Sequence, residues 1–122
     1  MQALRLNPGD DLREALASRT GFVIAGIGSL VHGQLRFAGE PGPTRIDGPL
    51  EILTLSGSLT PDGPHLHASV SDASGRVLGG HVCAGCEVRT TAELLIAPLP
   101  PGSLARIFDA ATGYAELHIG NG

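Results

Sequence analysis

Apolar positions along this chain alternate with polar ones more often than they recur at helical spacing, and the breaks between runs are built from glycine and proline. A-L-R-L at the start has the alternation of a short strand, which N-P-G-D then stops. Leu12, Ala15 and Leu16 fall at i, i+3 and i+4. With Asp11 as cap and Glu14 three residues on, they predict one amphipathic helix closed by Gly21. G-F-V-I-A-G-I-G-S-L is rich in β-branched residues and glycine and predicts a buried, central strand. Next, Val31, Leu35 and Phe37 alternate with His32, Gln34 and Arg36, which predicts a strand whose wet face carries His32. E-P-G-P-T-R-I-D-G-P reads as an exposed, mobile loop, after which Leu50 to Leu59 resumes as strand.

Two strand arms follow, joined by a turn over Asp72 to Gly75. Val88, Thr90, Ala92, Leu94 and Ile96 then line one face of a further strand. Beyond P-L-P-P-G, S-L-A-R-I-F-D-A predicts a short helical turn and G-Y-A-E-L-H-I a last strand. The sum is a single α+β domain over residues 1–122, with a largely antiparallel sheet of at least six strands and one early helix. Exposed sheet edges in so small a domain predict association between copies.

The chemistry of the chain is concentrated on the two arms. His65 and His67, in G-P-H-L-H, are two apart on a strand and point to one face. Counting out from the turn, Val77 to His81 lies across from about Leu66 to Ser71, which puts His81 of G-G-H opposite or diagonal to His67. Three converging neutral imidazoles suit zinc or another divalent ion, with a fourth position left for water, a ligand or another subunit. The other reading is a polar histidine ladder, or histidines bonded to one another at a subunit contact. A slip of one residue would flip a face, and Gly79-Gly80 makes a bulge plausible there. Cys83 and Cys86 form a C-x-x-C pair just after His81. Their flanks read as strand rather than helix N-terminus, so two thiols beside a turn are favoured over a redox pair or a His81–Cys83–Cys86 metal site.

Composition narrows the partners. Twelve acids against eight basic residues, all arginine, give a net charge of −4 and no basic cluster, and aromatics at 3% argue against base-stacking platforms. No stretch of about 18 apolar residues occurs and the N-terminus lacks the blocks of a signal peptide, so the expectation is a cytoplasmic protein without membrane contact. G-I-G-S-L-V lacks the third glycine of a dinucleotide fingerprint, and no phosphate loop or G-x-S-x-G elbow is present.

Seven segments recur in a known order: R-L-N-P-G-D-D-L, G-I-G-S-L, G-P-L-E-I-L-T-L-S-G-S-L, G-P-H-L-H-A-S-V-S-D, G-R-V-L-G-G-H, G-C-E-V-R-T-T-A-E and T-G-Y-A-E-L. With them the sequence resembles the plant and prokaryote conserved (PPC) domain family, found alone in bacteria and archaea and joined to AT-hooks in plant nuclear proteins. The resemblance implies an α+β fold with a mostly antiparallel sheet flanking a helix, and a homotrimer. Family members carry histidines in the same contexts, and some are thought to bind a metal there, which carries that role to His65, His67 and His81. In plant members the segment around E-I-L serves partner recognition, which corresponds here to Gly48, Pro49, Leu50, Glu51, Ile52 and Leu53. Pro49-Leu50 stands where the plant form has Arg-Phe. DNA binding also attaches to the family, but the plant contact is expected from a basic arm that this chain lacks. The expectation is thus a homotrimeric binding or regulatory module with a histidine metal site and an unnamed small ligand, DNA association being a sub-case. The alternative is a metal-dependent hydrolase or lyase on a small polar substrate, with Glu51 or Asp72 as candidate base.

Overall fold

The computed structural model describes residues 1–120, and among them no α-helix occurs. The expected α+β architecture is therefore corrected to a nearly all-β one. Eight strands run in order: β1 (Gln2–Leu6), β2 (Gly21–Arg36), β3 (Thr44–Thr60), β4 (Gly63–Ser71), β5 (Val77–Val82), β6 (Glu87–Pro98), β7 (Leu104–Asp109) and β8 (Tyr114–Ile119). The first six form one antiparallel sheet in the order β1-β6-β2-β3-β4-β5, with β2 central as the sequence suggests, and β7-β8 stand apart as a hairpin.

The segment expected to be helical holds only a 3-10 turn at Glu14–Leu16. Only ten residues, 11–20, separate the N-P-G-D break from Gly21, too few for a helix to repay its nucleation. Asp11 nevertheless acts at the start of the turn. Its Oδ1 accepts from the backbone N–H of Arg13 and Glu14 at 3.1 and 3.0 Å, while Oδ2 accepts from the N–H of Gly85 at 2.6 Å. One carboxylate thus starts the turn and ties it to the cysteine loop. Leu12 and Leu16 are fully buried, so the apolar spacing was a true signal of burial without the helix.

Two other expectations change. The Pro- and Gly-rich loop is shorter than its composition suggests, because Thr44 to Gly48 already belongs to β3 and Ile46 is buried. S-L-A-R-I-F-D-A is strand, paired Leu104 to Ile119 through Asp109 to Tyr114. The hairpin turn is held by Asp109, whose backbone carbonyl accepts from Thr112 and Gly113 and whose Oδ1 accepts from Ala111.

The sheet curls on itself. Besides pairing with β3 and β6, β2 pairs with β5 through Leu35–Val82 and Arg36–His81, closing β2, β3, β4 and β5 into one unit. Gly80 makes that closure possible: a Cβ there would stand 2.7 Å from the Arg36 carbonyl oxygen. The ladder between β4 and β5 is regular through Gly79 and Gly80, so the bulge falls elsewhere, in β2 between Leu30 and His32. That bulge changes the phase at Val31 alone, and Leu35 keeps the inward face read from sequence. Leu30 and Leu35 enter the core while Val31 faces out. The interior is a single apolar cluster to which β3 gives Leu50, Leu55 and Leu59 and β4 gives Leu66, each contributing about 1.5–3 kcal/mol by leaving water.

Candidate metal centre

Strand β4 alternates strictly. Pro64, Leu66, Ala68 and Val70 are buried, so His65 and His67 share the opposite face, and His81 on β5 is the register partner of His67. Apolar burial behind the sheet therefore fixes which way the imidazoles point, because a one-residue slip would drive Leu66 into water. Ring centroids lie 5.2 Å apart for His65–His67, 5.0 Å for His65–His81 and 5.8 Å for His67–His81. One nitrogen from each ring lies within 4.8 Å of the others. Tetrahedral zinc at its usual bond length asks for nitrogens roughly 3.3 Å apart, so small side-chain rotations would complete the triangle.

The donor set fits such an ion in two further respects. His81 Nδ1 is buried with no hydrogen-bond partner, a condition that ordinarily costs about 1–3 kcal/mol and that ligation or a new partner would relieve. Burial first, then the charges of His65, Arg36 and His67, lower the His81 pKa from 6.5 to about 4. The His65 pKa is lowered in the same direction, by burial and then by Arg106 and His67, with Glu116 opposing. Both rings are accordingly neutral near pH 7, the form a metal requires.

Two guanidiniums frame the trio. Arg36 is the register partner of His81 and so projects from the same face. Arg106 reaches over from β7, donating from Nη2 to Ser58 Oγ at 2.6 Å, and Ser58 is the register partner of His65. The Arg106 backbone N–H also donates to Asp62 Oδ2 at 2.9 Å, which pins the β7-β8 hairpin to the β3-β4 turn. Beside the histidines a cavity of about 540 Å³ is bordered by Arg36, Glu40, His65, His81, Tyr114 and Glu116. A smaller hollow of about 270 Å³ lies on the other flank, against Phe22, Ser56, Ser58, His65 and His67. The helical turn expected over S-L-A-R-I-F-D-A gives Arg106 no place here, and Glu116, on the expected last strand, arrives only because β8 pairs with β7. No apolar–polar alternation marks the segment, since Leu104, Arg106 and Phe108 share one parity and Ala105, Ile107 and Asp109 the other.

The other candidates lie apart. Asp72 sits in the turn at the far end of the β4-β5 hairpin, and Glu51 borders a different cavity with Ser29, Asp72 and Arg89. Of the expected partner segment, Ile52 belongs to the core and a Cβ on Gly48 would lie inside the Val31 carbonyl, so both serve packing. Glu51 and Leu53 are exposed. Cys86 is buried, accepting from the Gln34 N–H at 3.3 Å and donating to the Gln34 carbonyl at 3.5 Å. Burial pushes its thiol pKa up, so it is a poor nucleophile, while Cys83 is half-buried.

The model of the Plants and Prokaryotes Conserved domain matches residues 1–100. The chain belongs to this family. Within it, or sharing its fold, are several known proteins. A bifunctional protein GlmU of Synechococcus sp. (strain JA-2-3B'a(2-13)) is 47% identical over 95% of this chain, but the chain spans only 20% of that protein's length. A hypothetical protein of Salmonella enterica has a solved structure that superposes with a TM-score of 0.86 at 40% identity, covering 98% of this chain and 91% of the other. A metal-containing protein of Archaeoglobus fulgidus gives a TM-score of 0.75 at 26% identity, covering 94% and 90%. A protein of Bacteroides thetaiotaomicron named as a candidate DNA-binding protein gives 0.80 at 19% identity, covering 96% and 90%, and so shares the fold alone. No helix among the described residues is long and apolar enough to cross a membrane.

Proposed function

We propose that this PPC-domain chain is a metal-dependent binding or regulatory module in which His65, His67 and His81 hold a divalent ion, zinc by the chemistry of the donors, with one coordination position left open. The observation that carries this reading is the meeting of three imidazoles on one face, one with an orphaned buried nitrogen. The metal-containing relative from Archaeoglobus supports it. The module is a single domain and a homotrimer. Ile27, Leu53 and Leu95 on the outer sheet face, with Ile107, Phe108, Tyr114 and Ile119 on the projecting hairpin, leave more apolar surface exposed than a solitary copy needs. Glu51 and Leu53, exposed in the expected partner segment as Pro49 is, would meet another molecule.

Zinc content measured after purification without chelator or affinity tag tests the site. Wild type should carry about one ion per chain and His67→Ala close to none; equally little in both would defeat the reading. DNA association remains a sub-case, supported by the fold shared with the Bacteroides protein and opposed by the charge of −4. A salt-dependent shift of duplex DNA supports it, and its absence at about 50 mM salt removes it.

One observation favours the enzymatic alternative. Glu116 borders the cavity beside His65, where a carboxylate could take a proton from a water at the open position. Hydrolysis or elimination on a small polar substrate would then follow. It requires that Glu116→Gln abolish turnover while leaving zinc content unchanged.

A further inference from the structure

The electrostatics around the histidines do not suit a bare cation. Three imidazoles supply no negative charge, and the donor atoms clustered within 4.8 Å include no carboxylate among the described residues. Arg36 stands across the strand pair from His81, and Arg106 is held over Ser58 beside His65. The ion pairs among the described residues are Arg13–Glu14 and Arg45–Asp47, so neither of these guanidiniums is neutralised by a carboxylate. Glu40 and Glu116 on the cavity wall can at most offset the two arginines. A dication seated on the trio therefore keeps its full charge in a half-buried place, which is costly until an anion arrives.

The cavity beside the trio supplies room for one. About 540 Å³ falls in the range of small-ligand sites, and Arg36 lies on its wall together with His65 and His81. A guanidinium presents a planar fork that matches a carboxylate in two parallel hydrogen bonds.

We propose that the open position of the metal and Arg36 together bind a small organic carboxylate, so that the module is a receptor for a small acid. Resting on the metal reading above, the inference names the ligand class of the same site. One carboxylate oxygen takes the open position and the rest of the anion is oriented by the Arg36 fork. Arg106, committed to Ser58, contributes charge. The ligand is bound whole and no bond in it is made or broken.

Cobalt(II) reports this directly, since its visible bands change when the fourth ligand changes. The cobalt-loaded protein is titrated with malonate, and separately with the neutral malonamide. Malonate should shift the wild-type bands and malonamide should not. Arg36→Gln should take up cobalt at least as well as wild type, because a repelling charge is gone, yet bind malonate at least tenfold more weakly, with Arg36→Lys in between. The cobalt bands of each variant before malonate show that its site is built. Equal malonate binding by wild type and Arg36→Gln overturns the inference, as does a wild-type response to malonamide or no response to malonate. If cobalt binds but malonate does not, the inference alone fails. If wild type takes up no cobalt, the metal reading fails with it.

Discussion

The two ends of the β4-β5 hairpin carry cavities of nearly equal size and opposite character. At the turn end about 520 Å³ is bordered by Ser29, Glu51, Asp72, Arg89 and Thr90. Asp72 Oδ1 accepts from the Ser74 backbone and hydroxyl and from the Arg76 N–H, and the Ser29 and Thr90 hydroxyls bond each other at 2.5 Å. The bond from the Ser74 hydroxyl is the main reason the Asp72 pKa lies low. The polar atoms there build the turn and stitch β2 to β6. At the open end, His81 Nδ1 has no partner and Arg36 no carboxylate. Volume does not separate the two places, nor does an unpaired guanidinium, since Arg89 at the turn end forms no ion pair among the described residues either; the buried His81 nitrogen without a partner does.

The largest effect that could break this contrast is on metal affinity. His81→Ala should lower zinc affinity by more than about 100-fold in a chelator competition, since loss of a ligand exceeds the 10–100-fold typical of outer-shell partners. Asp72→Asn should leave it within about twofold. A comparable loss in both would show that the turn end matters to the site as much as the histidines do.

Next is closure of the sheet behind the site. Gly80→Val puts a branched side chain where a bare Cβ already stands 2.7 Å from the Arg36 carbonyl, so β2 and β5 must part. The expected cost is about 1–3 kcal/mol in urea unfolding, with a parallel loss of zinc affinity. Gly75→Val sits in open space at the turn, but its φ of +83° makes it strained as well, so it separates backbone strain from closure. It should reduce stability and spare the metal.

A smaller effect concerns pH. His81 is lowered from 6.5 to about 4 in the folded chain, so between those values the unfolded chain binds more protons. That contribution to stability is fully present above about 6.5 and is lost as pH falls towards 4. The metal-free melting temperature should therefore fall over that window. The same slope should flatten in His81→Gln, and an unchanged slope would show that burial of this ring does not set it. His65, with Arg36 and Arg106 facing it, should contribute in the same direction.

Sequence was most informative where two constraints agreed. The turn residues and the alternation of β4 point to the same register, so His81 can be placed opposite or diagonal to His67 before the fold is known, and the ladder makes the two direct partners. It misled where only one constraint was visible. Leu12, Ala15 and Leu16 carry helical spacing, yet the chain between the flanking breaks is too short, and the Asp11 carboxylate is shared with Gly85, 74 residues away. The β2 bulge at Leu30 to His32 could not be counted because it depends on two partner strands at once. Arg106 joins the site only because the hairpin folds back to Asp62 and Ser58, contacts that no local pattern encodes.

The most direct test is a crystal structure of the protein grown with zinc, with diffraction recorded on both sides of the zinc absorption edge. The account predicts an anomalous peak about 2.0–2.1 Å from one nitrogen each of His65, His67 and His81. No peak there, with the three rings hydrogen-bonded to one another or to a second copy, would contradict it.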